Sequence, residues 1–226
     1  NWNTGTTWDL GSVPGPADHA VISTGTTVTL TSGGAGTFIT NLTINSGGVL
    51  NADNRLMTVT GNLVVNGIYT SKDVAGKDLI LTGSSLDGMG SISINGAGAY
   101  FRINSSCSIT SNADLIIIGP VRLDSPVTVT NQGVIEIDGE LLGENASTSI
   151  WTNANNSGLD IGGPLLTNGV LNASAAGNYV RYFQLADQNI KDPSGNTYHH
   201  LYISGSGNKN FQNNVILNGN LIIDNS

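Results

Sequence analysis

Two stretches decide the fold: Asn41-Leu42-Thr43-Ile44-Asn45-Ser46-Gly47-Gly48 and, a few residues later, Gly61-Asn62-Leu63-Val64-Val65. Both return near the other end of the chain, as His200-Leu201-Tyr202-Ile203-Ser204-Gly205-Ser206-Gly207 and Gly219-Asn220-Leu221-Ile222-Ile223. The leucines of the first pair are 21 residues apart, and those of the second pair are 20 apart. A near-constant period of this length is typical of one coil of a solenoid.

Short apolar clusters throughout the chain alternate with polar residues, as expected for strands with one buried face. Strands this short are stable only when each pairs with its equivalent in the next coil and the inward side chains stack into one core. The sequence therefore predicts an all-β fold, a right-handed parallel β-helix of about ten rungs. The side chains expected to point inward are Val28, Leu30, Leu42, Ile44, Val59, Leu63, Val65, Ile92, Ile94, Val127, Val129, Ile135 and Ile137.

Asparagine and glycine recur immediately before apolar pairs and indicate the corners between strands. The clearest examples are Asn66-Gly67-Ile68-Tyr69, Asn168-Gly169-Val170-Leu171 and Asn131-Gln132-Gly133-Val134-Ile135. We expect left-handed backbone angles at these corners, because both residue types tolerate them. The glycine-rich pieces at 33–36 and 96–98 are interpreted as further corners, since neither has the strand–loop–helix context of a phosphate site.

A β-sandwich is the alternative architecture, since it also consists of short strands and turns. The recurrent corner spacing and apolar runs such as Leu115-Ile116-Ile117-Ile118 favour the solenoid. Two polar stretches, 144–157 and 184–196, are expected to loop out of the stack. Neither is typical of a domain linker, so we expect a single β-solenoid domain over 1–226.

Composition excludes several classes of function. Gly, Asn, Thr and Ser number 30, 28, 22 and 22, and charged residues make up only 11% of the chain. A net charge of −8 disfavours nucleic acid and electrostatic attachment to anionic lipid. No apolar run is long enough to insert into a membrane. The single cysteine, Cys107, rules out an internal disulfide, and a disulfide-free extracellular protein is more typical of bacteria.

The two ends of the chain differ in character. Trp2, Trp8 and Pro14 belong to a Pro/Gly-rich opening, 1–20, that we interpret as an N-terminal cap over the first rung. The alternative is that the tryptophans stack on sugar rings. The last residues follow the rung pattern, so we expect an open C-terminal end that belongs to a longer solenoid or stacks on another copy.

The strongest enzyme-like feature is the acidic stretch that contains Glu136, Asp138 and Glu140. A spacing of two would place these carboxylates on one strand face. They could then bind Ca²⁺ or take part in acid–base cleavage of a glycosidic bond, with Arg102 or Arg122 one rung or so away as the basic partner. The simplest alternative is the solvated outer face of a half-buried strand. No other cofactor is predicted.

The histidines and the cysteine give weaker hypotheses. His19, His199 and His200 have no metal-binding spacing, and neighbours on a strand would point to opposite faces. Cys107 is expected to be a small core residue, because no base that could activate it can be identified.

Both ends of the chain carry recognisable motifs. The opening contains Trp2, Trp8 and Val13-Pro14-Gly15-Pro16-Ala17-Asp18-His19-Ala20-Val21-Ile22. The C-terminal part contains Asn178-Tyr179-Val180-Arg181-Tyr182, Tyr198-His199-His200-Leu201-Tyr202-Ile203-Ser204-Gly205-Ser206-Gly207-Asn208-Lys209, Val215 and Asn218-Gly219-Asn220-Leu221-Ile222-Ile223. On these residues the opening resembles the first rung of large secreted repeat proteins of Bacteroidetes, and the C-terminal part is similar to their recurring repeat. The opening is also similar to the G8 module found beside carbohydrate-processing solenoids.

The resemblance implies export by the type IX pathway and display at the cell surface as an adhesin, matrix or filament component. We therefore expect an extracellular, structural or adhesive segment that is not an enzyme and that associates with copies of itself or with neighbouring solenoid domains. The alternative is a solenoid that binds glycans or degrades polysaccharides.

Overall fold

The computed structural model describes residues 1–31, 37–72 and 76–224. It consists of short strands that coil repeatedly, so that each strand pairs in parallel with its equivalent one coil later. Every strand pair in these three ranges is parallel, which excludes the β-sandwich. The predicted parallel β-helix is confirmed, with about nine turns. The glycine-rich piece 33–36 lies outside the described residues.

Three sheets run along the stack. Sheet I, in spatial order, contains β1 (His19–Ile22), β4 (Asn41–Ile44), β7 (Asn62–Val65), β10 (Ser85–Asp87), β13 (Cys107–Ile109), β16 (Val127–Asn131), β19 (Ser149–Asn153) and β21 (Val170–Asn172). Sheet II contains β2 (Thr27–Thr29), β5 (Val49–Asp53), β8 (Ile68–Ser71), β11 (Ser91–Ile94), β14 (Asp114–Ile118), β17 (Val134–Ile137), β20 (Gly158–Ile161), β22 (Tyr179–Tyr182), β25 (His200–Ile203) and β28 (Leu221–Ile223).

Sheet III is shorter, and two small sheets follow it towards the C-terminal end. Sheet III contains β3 (Thr37–Ile39), β6 (Met57–Val59), β9 (Leu79–Leu81), β12 (Phe101–Ile103), β15 (Val121–Leu123) and β18 (Leu141–Gly143). The small sheets pair β23 (Gln188–Ile190) with β26 (Lys209–Phe211) and β24 (Thr197–Tyr198) with β27 (Ile216–Leu217). The described helices are two three-residue 3₁₀ turns, η1 (Gly5–Thr7) and η2 (Ser194–Asn196).

Alternate side chains of each strand fill one continuous apolar core, as the period-2 pattern predicts. All thirteen side chains expected to point inward are buried. The run Leu115-Ile116-Ile117-Ile118 obeys the same alternation, because Ile116 and Ile118 are 44% and 42% exposed on the outer surface. This run is therefore not buried on both faces, although its sequence is apolar throughout.

The corners lie where the Asn/Gly pairs predict them. At some corners, however, glycine is required by close packing and not by a left-handed backbone angle. Gly169 has a φ of 131°, in the region that favours glycine. Gly67 has no left-handed angle; instead, a Cβ there would come within 2.2 Å of the Gly48 carbonyl oxygen. Glycine is needed at this corner because successive coils approach too closely to accommodate a side chain.

The two stretches predicted to loop out instead contain strands. Within 144–157, β19 pairs with β16 and β21 in the middle of sheet I, and within 184–196, β23 pairs with β26. The prediction of a loop was wrong at β19 because the polar residues of this strand are buried in the stack, where their side-chain amides form hydrogen bonds. The buried Asn131 side chain donates to Asn153 Oδ1 at 3.2 Å, and the Trp151 indole donates to the same oxygen at 2.8 Å.

Candidate functional site

The outer face of sheet II changes character along the stack. The strand register places Ile116, Glu136, Asp160, Arg181 and Tyr202 in one column, each one coil above the last. Ile116, Glu136, Arg181 and Tyr202 point away from the core, because they alternate with buried neighbours in β14, β17, β22 and β25. Asp160 lies in β20, whose four residues are all buried, and its place on the outer face follows from its register with Glu136 and Arg181. The column therefore changes from apolar to charged and aromatic within about 20 Å of stack height.

We call Glu136, Asp160 and Arg181 the charged triad. One terminal nitrogen of Arg181 is 2.9 Å from an Asp160 carboxylate oxygen and 3.2 Å from a Glu136 carboxylate oxygen. Two carboxylates thus share a single guanidinium group. The Arg181 guanidinium also lies over the Phe183 ring, 5.5 Å from its centroid, where the two groups attract each other.

The triad is not fully satisfied internally. The Asp160 side chain is only 8% exposed, yet among the described residues its Oδ1 has no hydrogen-bond partner, and the Nε of Arg181 has none either. Burial raises the pKa of Asp160 to about 6, although the Arg181 charge acts in the opposite direction. An unpaired buried oxygen of this kind is expected to accept a hydrogen bond from a water molecule.

We call Tyr179, His200 and Tyr202 the aromatic face. The Tyr179 and Tyr202 ring centroids are 5.2 Å apart, and the His200 and Tyr202 rings are nearly parallel, with centroids 6.4 Å apart. Tyr179 lies across β20 above Gly158, where an added Cβ would come within 2.3 Å of the ring. Glycine at 158 therefore leaves room for the Tyr179 ring against the sheet.

A second charged cluster, the arginine ladder, lies on sheet III and comprises Asp78, Arg102, Asp124, Arg122 and Glu144. Arg102 bonds to Asp124 at 2.6 Å and to Asp78 at 3.4 Å, while Arg122 bonds to Asp124 at 3.1 Å and to Glu144 at 2.6 Å.

Every carboxylate oxygen of the arginine ladder accepts at least one hydrogen bond. The Asn104 amide donates to Asp124 at 2.8 Å, and the backbone N–H groups of Tyr100 and Ser125 donate to Asp78 and Glu144. The hydrogen bonds that Arg102 donates to Asp124 raise the pKa of Arg102, and the hydrogen bond that the Ser125 backbone N–H donates to Glu144 lowers the pKa of Glu144. With no acceptor left free, this cluster has a structural role.

The predicted acidic site is only partly assembled. Glu136 lies on the outer face of β17, but the strand ends at Ile137, so Asp138 and Glu140 lie in the following turn and not on the same strand face. In the described ranges, no group of three or more His, Cys, Asp or Glu side chains converges as a metal site would require. The placement of Asp138 and Glu140 on a shared strand face is therefore wrong.

The basic partner of Glu136 was also predicted wrongly. Arg102 and Arg122 belong to sheet III and bind the carboxylates of the arginine ladder. The sequence reasoning missed Asp160 and Arg181, which stand 24 residues after Glu136 and 21 after Asp160. These intervals equal one coil each, so counting charged residues at the repeat period would have found them.

The N-terminal residues close one end of the core. Trp2 is 1% exposed and belongs to the core cluster, and its backbone N–H donates to Thr29 at 2.8 Å. Trp8 packs edge-on against the Trp2 ring and donates its indole N–H to the Trp2 carbonyl at 2.8 Å. Pro14 lines a depression of about 530 Å³ beside Trp8 and β1. Buried in this way, the Trp2 ring has no face free for a sugar.

A groove of about 510 Å³ lies where sheet III gives way to the β23–β26 pair. Leu165 and Ile190 are among its apolar residues, and its polar residues include Gln188 and Lys191. The Gln188 amide donates to two backbone carbonyls of the preceding coil and is therefore already satisfied. Burial lowers the pKa of Lys191.

The remaining candidates have structural positions. Cys107 is buried in the core, and burial raises the pKa of its thiol to about 12, so it is protonated at neutral pH. His199 lies in the bend before β25, and its ring contacts that of His200, with centroids 4.3 Å apart. The expectation that these two histidines point to opposite faces is wrong, because His199 is outside the strand.

Comparisons with protein-family models, with curated proteins and with solved structures give no match to this chain. None of the helices in the described residues is long and apolar enough to cross a membrane.

Proposed function

We propose that the chain is a structural and adhesive segment of a secreted or cell-surface β-solenoid, which associates through its strand edges with copies of itself or with neighbouring solenoid coils. Ten strands of sheet II, hydrogen-bonded in series, support this role, because such a stack is a stiff rod. The resemblance to surface-displayed repeat proteins of Bacteroidetes supports an extracellular location and export by the type IX pathway.

The observation that carries the proposal is the apolar surface of β28. Leu201 and Ile203 are buried in β25, whereas their register partners Leu221 and Ile223 are 46% and 63% exposed. In the ranges that the structure describes, β28 is the outermost strand of sheet II at its C-terminal end, and an outermost strand with exposed apolar side chains is a template for a further strand. Contact with another coil would bury these side chains and extend sheet II.

Sedimentation velocity and electron microscopy of the purified chain test the association. We expect concentration-dependent rods whose lengths are multiples of one stack, about 45 Å at 4.8 Å per coil. The double variant Leu221→Lys/Ile223→Lys should remain a single short rod, because charged side chains on a strand edge block pairing.

The matched control is Ile116→Lys/Ile118→Lys, which adds the same charges on exposed isoleucines of β14, away from the strand edge. It should associate like the parent chain. Single short rods of the parent chain at every concentration would overturn self-association through β28, as would association of the double variant at the parent concentration.

A second proposed function is carbohydrate binding, in line with the likeness of the opening to the G8 module. The specific observation in its favour is the aromatic face beside the charged triad, since tyrosine rings pack on the apolar faces of sugars and carboxylates accept bonds from hydroxyls. No catalytic step is included, because Glu136 and Asp160 both bind Arg181. A reducing-end assay that detects sugar release from a polysaccharide would contradict this binding-only role.

A further inference from the structure

We propose that the aromatic face and the charged triad together bind a neutral, extended glycan whose sugars follow the axis of the stack. This inference rests on the second proposed function, carbohydrate binding, and adds the site, the charge of the ligand and its direction. No bond of the glycan is broken.

The direction of the glycan follows from the spacing of the rings. Tyr179 and Tyr202 belong to successive coils, which are about 4.8 Å apart along the stack axis, and their ring centroids are 5.2 Å apart with the ring planes tilted by 44°. A fully extended β-1,4-linked glycan advances by a similar distance per sugar. Consecutive sugars of such a chain can therefore stack on consecutive rings, whereas a helically coiled α-1,4-linked chain of the same sugars cannot.

The polar contacts follow from the exposed parts of the triad. The unpaired Asp160 Oδ1 is buried, so it lies behind the surface that a ligand would meet. Arg181 and Glu136 are each about one-third exposed or more and can meet ligand hydroxyls directly. The triad thus offers both acceptors and donors beside the rings, as vicinal sugar hydroxyls require.

The charge of the site selects a neutral ligand. Two carboxylates and one guanidinium leave an excess of negative charge, to which the nearby Asp114 adds. The whole chain carries a net charge of −8. A uronate or sulfated sugar would be repelled by these carboxylates, while a neutral sugar is bound by stacking and hydrogen bonds without that penalty.

Isothermal titration calorimetry with four hexasaccharides tests the inference. Cellohexaose and β-1,4-mannohexaose are neutral and extended, maltohexaose is neutral and coiled, and hexagalacturonate is anionic. We expect binding of at least one of the first two, weaker binding of maltohexaose and no binding of hexagalacturonate. The Tyr202→Ala variant should weaken the binding about tenfold, and Tyr202→Phe should bind nearly as the parent does, because it keeps the ring.

Tyr100→Ala is the control, since Tyr100 is a partly exposed tyrosine beside sheet III, and circular dichroism verifies that each variant is folded. The inference is overturned if neither extended hexasaccharide binds, if Tyr202→Ala binds like the parent, or if hexagalacturonate or maltohexaose binds more tightly. Sedimentation of the same samples reports association through β28 separately, so failure of glycan binding is distinguishable from failure of the structural role.

Discussion

The arginine ladder on sheet III and the charged triad on sheet II use the same residue types but differ in how completely they are satisfied. In the ladder, Asp124 is held by two guanidinium groups and an amide. In the triad, Asp160 shares Arg181 with Glu136, and one Asp160 oxygen has no partner within the described part of the chain. Charge at a regular interval on a solenoid therefore does not define a site; unsatisfied charge beside exposed rings does.

The largest expected loss of stability comes from substitutions in the apolar core, which supports both clusters. Leu63 is fully buried in β7, so Leu63→Asp should destabilise the fold by at least about 4 kcal/mol and abolish cooperative melting, and Ile203→Asp should act in the same direction. Circular dichroism melts check this. Val64→Asp, one residue along on the outer face, should cost about 1 kcal/mol, and native melts of Leu63→Asp would contradict the stacked core.

The next effect is on the arginine ladder. Asp124→Asn should lower the free energy of unfolding by about 3 kcal/mol, because two buried arginine contacts lose their counter-charge. Urea denaturation measures the loss. Glu144→Gln, at the solvent-exposed end of the same ladder, should leave the melting temperature within about 2 °C of the parent value. Equal losses in the two variants would show that the ladder has no buried centre.

The same Asp→Asn substitution in the charged triad, Asp160→Asn, should raise the free energy of unfolding. The pKa of Asp160 in the folded protein, about 6, lies above its ordinary value of 3.8, so the stability linked to its proton is present below pH 4 and is lost as the pH rises through 6. The neutral amide of an Asp160→Asn variant would resemble the protonated side chain at every pH. We therefore expect this variant to be more stable than the parent by about 3 kcal/mol at pH 7 and by almost nothing at pH 4.

Calorimetric melts of the parent and the Asp160→Asn variant at pH 4, 5.5 and 7 give the comparison. The difference between the two should grow with pH over this range. A variant less stable than the parent at pH 7 would mean that the Asp160–Arg181 pair behaves like Asp124 in the arginine ladder, and the contrast between the two clusters would be lost.

The smallest effect concerns the glycine beneath the aromatic face. Gly158→Ala places a Cβ where the Tyr179 ring lies, and the ring can swing away, so the loss of stability should be about 1 kcal/mol. The displaced ring would nevertheless weaken cellohexaose binding several-fold. Chemical denaturation and calorimetry measure the two effects, and unchanged binding would show that Tyr179 takes no part in the ligand site.

Much of the fold could be predicted because its determinants are local and repeated. Leu42 and Leu63 stand one period apart and become register partners. The prediction failed at β19, whose buried polar residues hide the strand pattern, because their satisfaction depends on partners in other coils. Burial of an asparagine through a contact 22 residues away is not visible in the local sequence.

Only part of the candidate site could be predicted from the sequence in the same way. Glu136 was identified from its own acidic neighbourhood, but Asp138 and Glu140 were grouped with it by adjacency in the sequence. In a solenoid the relevant neighbours are one coil away, which is where Asp160 and Arg181 stand. The flat position of Tyr179 could not be predicted, since it depends on the absence of a side chain at Gly158.

The buried amides of Asn131 and Asn153 have a consequence for how the polypeptide reaches its native state. A chain of near-equivalent coils can pair with its register shifted by one coil and still bury most of its apolar side chains. Such a mispairing would leave these two amides facing hydrocarbon without each other, at a penalty of several kcal/mol. A single polar pair in the interior thus distinguishes the correct threading from its closest competitors.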